Sequence, residues 1–279
     1  MEKNLKTGLK FFRISDWRAY FLMALLGFLI SKGFLFPLKD IIIFYFLVFL
    51  LLAFGFSINN CFDLREDKFK EDGVNPIVNN EISLKKSLFL AFLPGILALI
   101  LASLFSIKIF LFSLTGLAIG FFYSAPPFRF KSRPLIDLIS HGLFAGAFIF
   151  LLPVLIFSPK LTPFHFLIAF SIFYFSAIAE FRNHFEDYET DKKADLRTTV
   201  CVLGYKNSEN LLRYLTFLSP LILFPNFLIY EKYSFLFLIF SLIFLFFVIF
   251  DKDSKMVKNC RIIDVYVVLS FGLIFIATI

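Results

Sequence analysis

The sequence predicts an all-α polytopic membrane protein with nine transmembrane helices around a central cavity that opens at the cytoplasmic face. Of its 279 residues, 59% are hydrophobic and 45 are Phe, and the mean hydropathy of +0.83 is too high for a soluble domain. The apolar runs are continuous rather than alternating, so they predict helices and disfavour a β-barrel. Charged residues collect between these runs and mostly on one side, where we expect the polar end of the cavity.

Nine apolar runs are long enough for a membrane-spanning helix, which needs roughly 17–25 residues to cross the hydrocarbon layer. The spans are predicted near residues 17–36, 40–62, 84–105, 107–124, 135–157, 163–183, 210–230, 232–250 and 262–279. Residues 1–16 are basic and weakly amphipathic, which is typical of a segment that lies on the inner leaflet. The spans cover nearly the whole chain, so residues 1–279 are predicted to form a single domain.

The distribution of basic residues predicts the orientation of the chain. If the amino terminus shares one side with the loops after every second span, that side holds all but five of the Lys and Arg. Cytoplasmic loops carry such an excess, so we expect the amino terminus and the two long loops, 63–83 and 187–209, on the cytoplasmic side of the cell membrane. The net charge of +7 then reflects topology and contact with anionic lipid rather than nucleic-acid binding. No obligate protein partner is inferred.

Polar residues recur at every fourth position at two of the predicted cytoplasmic span ends. We call these sets the first and second stripes, and they consist of Asn59, Asp63 and Asp67, and of Asn183, Asp187 and Asp191. On a helix, each stripe lies on one narrow face. The same interval separates all three pairs, and an even number of crossings lies between the stripes. They can therefore meet on one face of the membrane.

The stripes predict a cation site. Carboxylates at i and i+4 repel each other and are costly to desolvate, so four of them together require cations. Oxygen donors suit Mg²⁺, which binds one or two carboxylates and fills its octahedral shell with water and phosphate oxygens. We therefore predict Mg²⁺ that clamps a diphosphate, with all six stripe residues as candidate ligands. Two alternatives stay open at this point: solvated helix ends paired with Lys and Arg, and the ion site of a polytopic cation transporter.

The stripe segments resemble two motifs of the UbiA superfamily of intramembrane prenyltransferases. The first motif, Asn-Asp-x-x-Asp-x-x-x-Asp, matches residues 59–67 with Asn60 in place of Asp. The second motif, Asp-x-x-x-Asp followed by Gly and Thr, matches residues 187–198, with Asp195 where Gly is usual. A third segment, Tyr-Ser-x-Pro-Pro with a following Lys, matches residues 123–131. Many relatives carry Arg-Pro-x-x-x-Gly after the first motif, where this chain has Asn75 in place of Arg.

The resemblance implies Mg²⁺-dependent transfer of a prenyl group from an allylic prenyl diphosphate to a lipophilic small-molecule acceptor within the membrane. The diphosphate would ionise, and the acceptor would capture the carbocation; aromatic walls, which attract cations, are plentiful in this chain. Archaeal ether-lipid, quinone and carotenoid biosynthesis all stay open, and so does the length of the prenyl chain. Alcohol phosphatidyltransferases also use acidic stripes and Mg²⁺, but their Asp-Gly-x-x-Ala-Arg signature is absent from the sequence.

The resemblance also assigns roles to residues. The predicted catalytic residues are Asp63, Asp67, Asp187, Asp191, Lys131 and Tyr123. The predicted substrate-binding residues are Asn59, Asn60, Lys68, Arg129, Asn183, Lys192, Arg197, His141 and His184.

Three further expectations concern polar residues near or within the spans. His184 either contacts the acceptor or satisfies a hydrogen bond at a helix end. His141 follows Asp137 by one helical turn, and that pair either lines the acceptor cavity or forms a structural hydrogen bond. Glu180 and Arg182 are predicted to form a salt bridge that borders the site.

Overall fold

The regular structure of the described residues is entirely helical. The computed structural model describes residues 2–33, 36–70, 75–158, 160–228, 231–251, 258 and 261–278. In chain order the helices are α1 (Glu2–Phe12), α2 (Arg18–Lys32), α3 (Leu38–Phe62), α4 (Leu64–Asp67), α5 (Leu84–Phe105), α6 (Ile107–Ser124), α7 (Ile136–His141), α8 (Phe148–Phe157), α9 (Pro163–Glu186), α10 (Tyr188–Lys193), α11 (Thr199–Leu203), α12 (Tyr205–Leu228), α13 (Glu231–Phe250) and α14 (Arg261–Thr278). A π-helical segment, Gly142–Ala147, joins α7 to α8.

The chain is an integral membrane protein. Within the described ranges, eight helical stretches are long and apolar enough to cross a membrane. They are Ile14–Lys32, Leu38–Phe62, Leu84–Phe105, Ile107–Ser124, Ile136–Phe157, Pro163–Glu186, Tyr205–Leu228 and Tyr233–Phe250. A shorter apolar helix, Ile262–Thr278, occupies the last predicted position. The all-α polytopic fold is confirmed, and the count of nine spans stays a prediction.

Helix ends differ from the predicted spans where polar residues continue a helix. The predicted loop 63–83 contains α4, and its residues 71–74 lie outside the described residues. The predicted loop 187–209 contains α10, α11 and the start of α12, because α12 begins at Tyr205 rather than near residue 210. Glu209 in that first part of α12 is paired with Lys206 at 3.2 Å and with Lys258 at 3.0 Å. Paired polar side chains let the helix extend beyond its apolar run.

Glycines let the helices around the interior approach closely. A Cβ at Gly27 of α2 would lie 2.3 Å from the carbonyl oxygen of Phe150, and a Cβ at Gly142 would lie 2.8 Å from that of Phe173. These contacts join α2 to α8 and the π-helical segment to α9, as small residues do in membrane helix packing. The last helix, α14, packs against α2. The last helix of the described chain therefore lies beside α2, its first long apolar helix.

The bundle contains a cavity of about 450 Å³, lined mainly by α3, α6, the α7–α8 segment and α9. Polar side chains line the end of the cavity at which α3 and α9 terminate, and mainly apolar side chains line the remainder. Which side of the membrane the polar end faces stays a prediction.

Candidate active site

The two stripes have the same local structure. In each, the middle aspartate ends a long helix and a short helix follows at once, with φ of −90° at Asp63 and −88° at Asp187. The N–H of Asp63 donates to the carbonyl oxygen of Asn59 at 2.9 Å, and the matching bond from Asp187 to Asn183 is also 2.9 Å. The N–H groups of Asp67 and Asp191 in turn donate to the carbonyl oxygens of Asp63 and Asp187, at 2.9 and 2.8 Å. Helical bonding therefore keeps each stripe on one face.

Both stripes face the same cavity. All six of their residues line it, and α4 packs against α10 where the two short helices meet. One ion pair joins the two sides directly, because Lys70 Nζ, which follows the first stripe, lies 3.0 Å from Asp187 Oδ2 of the second. The structure thus brings together two segments that are far apart in sequence.

Lys131 supplies positive charge next to the carboxylates of the first stripe. Its ammonium contacts both Asp63 and Glu66, and Arg129 donates to the two oxygens of Glu66 at 2.8 and 2.9 Å. Burial raises the pKa of Asp63 to about 7, although Lys131 opposes that shift. Burial alone would lower the pKa of Lys131, but the two carboxylates raise it overall, so the ammonium stays protonated. The cavity wall therefore contains a buried cluster of opposite charges.

The second stripe carries less compensating charge. Asp191 is buried, and its pKa is raised to about 6, first by burial and then by the neighbouring Asp187. Asp187 is about one-third exposed and has Lys70 as its partner. A buried carboxylate beside a second carboxylate is stabilised in its charged form by a cation.

The donor chemistry of the stripes fits Mg²⁺. In the part of the chain that the structure describes, no three Asp, Glu, His or Cys side chains lie close enough to share one metal ion. Mg²⁺ does not require such a cage, because it binds one or two carboxylates and completes its shell with water and substrate phosphate. The stripe aspartates supply hard oxygen donors in pairs around the cavity. They therefore match the way Mg²⁺ is held beside a diphosphate.

A second polar cluster, which we call the Glu180 cluster, lies in the cavity wall. It consists of Glu180, Tyr123, His141 and His184. The Tyr123 hydroxyl donates to Glu180, and the Nε2 atoms of His184 and His141 lie 3.4 and 3.5 Å from its two oxygens. Asn183 Nδ2 donates to Glu180 at 2.9 Å, which connects this cluster to the second stripe. Glu180 is thus the centre of a buried hydrogen-bond network between the stripes and the apolar cavity.

Comparison with known proteins identifies the family. The sequence model of the UbiA prenyltransferase family matches residues 20–263. The chain belongs to this family. It is a membrane prenyltransferase, and the transporter alternative is not favoured, because the acidic residues lie at helix ends where both stripes meet.

Individual relatives are 24–30% identical to this UbiA-family chain over the aligned residues. A digeranylgeranylglyceryl phosphate synthase from Saccharolobus solfataricus is 29% identical over 80% of this chain and 79% of the relative. A 2-acylphloroglucinol 4-prenyltransferase from Humulus lupulus is 30% identical over 61% of this chain and 44% of the relative. Among solved structures, a UbiA homologue from Archaeoglobus fulgidus bound to GPP and Mg²⁺ superposes with a TM-score of 0.76 at 24% identity, over 98% of each chain. That structural likeness establishes the fold.

Several residues predicted to bind substrate lie elsewhere in the structure. Asn60 is buried, and its amide donates to the carbonyl oxygen of Phe11 at 2.8 Å, so it fastens α1 to α3. Lys68, Lys192 and Arg197 are exposed side chains and do not line the cavity. Their sequence neighbours on the stripes face the cavity, whereas these three point to other faces of their segments. None of these four side chains lines the cavity, so the structure gives no support to their predicted role in substrate binding.

The remaining predicted residues are near the site, in three different situations. Asn59 donates to Ser124 Oγ at 3.1 Å and lines the cavity. Arg129 reaches the site only through Glu66 and does not line the cavity. His141 and His184 line it, but both face Glu180.

Two predicted side-chain pairs have other partners. Asp137 accepts hydrogen bonds from the Thr199 N–H at 2.7 Å and from the Thr199 hydroxyl at 2.6 Å, so it ties α7 to α11 rather than pairing with His141. Arg182 pairs with Asp264 at 3.0 Å, and not with Glu180. The expected Glu180–Arg182 salt bridge is absent, whereas Asp137 makes structural hydrogen bonds, one of its two expected roles, with Thr199 as the partner. In both cases a partner on another helix is preferred to a neighbour on the same helix.

Glu66, Lys70, Arg13 and Glu180 line the cavity although the sequence analysis gave them no role in binding. The sequence does contain a pattern that predicts the positions of Glu66 and Lys70. Residues 59, 63, 66 and 70 are three or four positions apart and so share one helical face. Lys68, which was chosen instead, lies off that face. Arg13 donates to Asn59 Oδ1 at 3.4 Å, across 46 positions of sequence. No local pattern predicts such a contact.

Proposed function

We propose that this prenyltransferase ionises an allylic prenyl diphosphate between its two stripes, with Mg²⁺, and joins the prenyl group to a lipophilic acceptor. The observation that carries the proposal is the convergence of six stripe residues on one cavity, with Lys70 joined to Asp187 across it. The Archaeoglobus fulgidus homologue with the same fold is bound to GPP and Mg²⁺, which supports the same use of the stripes here. We place this chemistry at the cytoplasmic face of the cell membrane.

The stripe aspartates would hold Mg²⁺, which supplies charge neutralisation to a leaving diphosphate. Lys131 and Lys70 stand beside the stripes and add positive charge at the same end of the cavity. Such fixed charges are more effective in a site from which water is excluded than in bulk solvent. The binding and orientation of the diphosphate are therefore assigned to Asp63, Asp67, Asp187, Asp191, Lys131 and Lys70.

The cavity wall next to the stripes, towards the apolar part of the cavity, is suited to an allylic cation. Tyr123 presents its ring to the cavity while Glu180 holds its hydroxyl, and Phe144 packs against that ring with centroids 5.2 Å apart. Aromatic faces attract cations without reacting as a basic side chain would. We propose that Tyr123 and Phe144 shield the cation, and that His141 and His184 keep the hydrogen bonds of Glu180 in place.

For the acceptor we propose a glycerol-phosphate lipid. The synthase from Saccharolobus solfataricus named for digeranylgeranylglyceryl phosphate matches most of both chains, whereas the phloroglucinol prenyltransferase matches less than half of its own length. An aromatic acceptor is the competing class. The two differ in the nucleophile, which is a hydroxyl oxygen in the lipid and a ring carbon in the aromatic compound.

The test is a product assay with purified protein. Geranylgeranyl diphosphate, Mg²⁺ and geranylgeranylglyceryl phosphate are incubated with the protein, and the product is identified by mass. We expect a lipid that has gained one geranylgeranyl group, with no product from Asp63→Ala or Asp187→Ala. Unchanged turnover in either variant would remove the assigned role of the stripes, and a product only with a phloroglucinol acceptor would replace the lipid by the aromatic class.

A further inference from the structure

The cavity extends from the stripes into the apolar interior along three helices. It is lined over residues 51–63 of α3 and residues 112–124 of α6. Each run covers about 18 Å at 1.5 Å per residue. Residues 141–152 of the α7–α8 segment line the third side, and this wall is somewhat shorter for its residue count because part of it is π-helical. Because the walls from α3 and α6 have the same length, the cavity has a depth of about 18 Å along them.

Packed apolar side chains close the far end of the cavity. Phe112 and Phe148 stack there with ring centroids 4.4 Å apart and an interplanar angle of 14°. Leu52 and Leu152 are buried and belong to a hydrophobic core that also includes Phe28. Protein cores are close-packed and resist the insertion of further carbon atoms. This end therefore acts as a fixed floor.

The depth of the cavity limits the length of the prenyl chain that it can hold. An extended chain advances about 1.2 Å per bond, as the polypeptide backbone does, so an isoprene unit with four backbone bonds covers about 5 Å. Given the proposed function, we infer that this cavity selects prenyl diphosphates of three to four isoprene units, and that Gly55 keeps that length open. Chain-length selection is thus assigned to the floor and to one position on α3.

Gly55 lies on the cavity face of α3, eight residues before Asp63 and therefore about 12 Å from it along the helix axis. A Cβ added at Gly55 would have nothing within 4 Å. The position thus faces open cavity rather than a packed neighbour. A larger side chain there would enter the path of a chain beyond its second isoprene unit.

The other cavity-lining glycines described by the structure have a different environment. A Cβ at Gly116 would meet the ring of Phe148 at 3.1 Å, and one at Gly120 would meet the ring of Phe144 at 3.6 Å. A side chain at Gly116 would press on the Phe148 ring, and a Cβ at Gly120 would already be in van der Waals contact with the Phe144 ring, so neither position faces open space as Gly55 does. Gly55 is the position at which cavity length can be changed with the least effect on the fold.

The experiment measures the binding of unreactive prenyl thiodiphosphates in the presence of Mg²⁺. Four analogues with one, two, three and four isoprene units are titrated against wild type, Gly55→Leu and Gly272→Leu. Gly272 is the matched control, because it lies within helix α14, a Cβ there also meets nothing within 4 Å, and it does not line the cavity. A third variant, Phe112→Ala, enlarges the far end and keeps the test decisive if Gly55→Leu fails to fold.

We expect the wild-type affinity to rise at least about tenfold from two to three units, because each added apolar group fills existing space. Gly55→Leu should abolish that gain and bind the one-unit analogue within about twofold of wild type. Gly272→Leu should behave as wild type, and Phe112→Ala should raise the ratio of four-unit to three-unit affinity above its wild-type value. Equal loss at all lengths in Gly55→Leu, or an unchanged preference in Phe112→Ala, would overturn the inference. Absence of Mg²⁺-dependent binding at every length would overturn the proposed function and this inference with it.

Discussion

Lys131 is the residue on which the charge balance at the first stripe depends. Its ammonium is nearly buried and contacts two carboxylates that are themselves buried, those of Asp63 and Glu66. When one partner of such a cluster is removed, buried charge is left uncompensated, which typically costs about 3–5 kcal/mol. The same side chain also supplies positive charge beside the proposed diphosphate site. Its loss should therefore affect both stability and activity.

Lys131→Met should lower the unfolding temperature of the purified protein and reduce prenyl transfer by at least about a hundredfold. Fluorescence-monitored thermal unfolding and the product assay measure the two effects. Lys192→Met is the control, because Lys192 is exposed and its ammonium lies 5.8 Å from the Tyr188 ring centroid. A Lys131→Met protein that unfolds and turns over like wild type would contradict the charge balance described above.

The backbone geometry at residue 195 explains why this chain can have Asp where the family motif has Gly. The UbiA superfamily usually has Gly at this position, and Asp195 has a φ of +58°, in the left-handed region that Gly enters freely. Asp is one of the few other residues that tolerate this region. The substitution in this chain therefore preserves the turn between α10 and α11, and it adds no cavity-lining side chain.

Asp195→Val should destabilise the protein by about 1–2 kcal/mol, because a β-branched side chain clashes in the left-handed region. Asp195→Gly should unfold at or above the wild-type temperature and retain full activity. Thermal unfolding of the two variants side by side makes the comparison. Equal unfolding temperatures for the Val and Gly variants would show that the positive φ carries no constraint.

Among the elements, the α7–α9 contact sets the position of the Glu180 cluster. Gly142 and Gly146 allow the π-helical segment to lie directly against α9, where Cβ atoms would come within 2.8 Å of Phe173 and Ser176. His141 immediately precedes this contact and faces Glu180 of α9. The spacing between the two helices therefore determines whether His141 reaches its partner.

Gly142→Ala should separate α7 from α9 and destabilise the protein by about 1–3 kcal/mol, the usual cost of overpacking. Gly272→Ala is the matched control, since an added Cβ there meets no atom within 4 Å and Ala favours the helix. Thermal unfolding measures both variants. If Gly142→Ala were as stable as Gly272→Ala, the close contact would not be required.

The long elements were predictable from sequence, and the short ones were not. Continuous apolar runs predicted α5 and α6 at both ends, residues 84–105 and 107–124. The short helices α4 and α10 were assigned to loops because their charged sequences lack an apolar run. The π-helical segment depends on contacts with α9 that are distant in sequence. Hydropathy predicts which segments lie in lipid, whereas α4, α10 and the π-helical segment depend on contacts with other parts of the chain.

The sequence correctly predicted that the polar residues on each stripe face one cavity, but it did not predict the contacts between helices. The stripes were found because their period of four survives the break at Asp63 and Asp187. Lys68 was chosen over Lys70 because proximity in sequence was used in place of helical phase. Glu180 was predicted to border the site but with Arg182 as its partner, because its actual partners come from three separate segments of the chain.

At the scale of the whole molecule, the orientation proposal can be tested with a protease. Arg197 is exposed and lies between α10 and α11, on the face with most of the basic residues. Trypsin should cleave after residue 197 in inverted membrane vesicles and leave that bond intact in sealed right-side-out vesicles. Mass spectrometry of the fragments identifies the cut. Cleavage from the outside only would reverse the predicted topology.

The central claim is that both stripes hold one diphosphate through divalent cations. It is tested most directly by the shift in unfolding temperature that a geranyl thiodiphosphate produces in wild type, Asp63→Asn, Asp187→Asn and the control Asp195→Asn. A hundredfold excess over the dissociation constant stabilises a protein by about 2.7 kcal/mol. We predict this shift in wild type and Asp195→Asn with Mg²⁺, its loss with EDTA, and its absence in both stripe variants. A full shift in either stripe variant, or an undiminished shift in EDTA, would contradict the account.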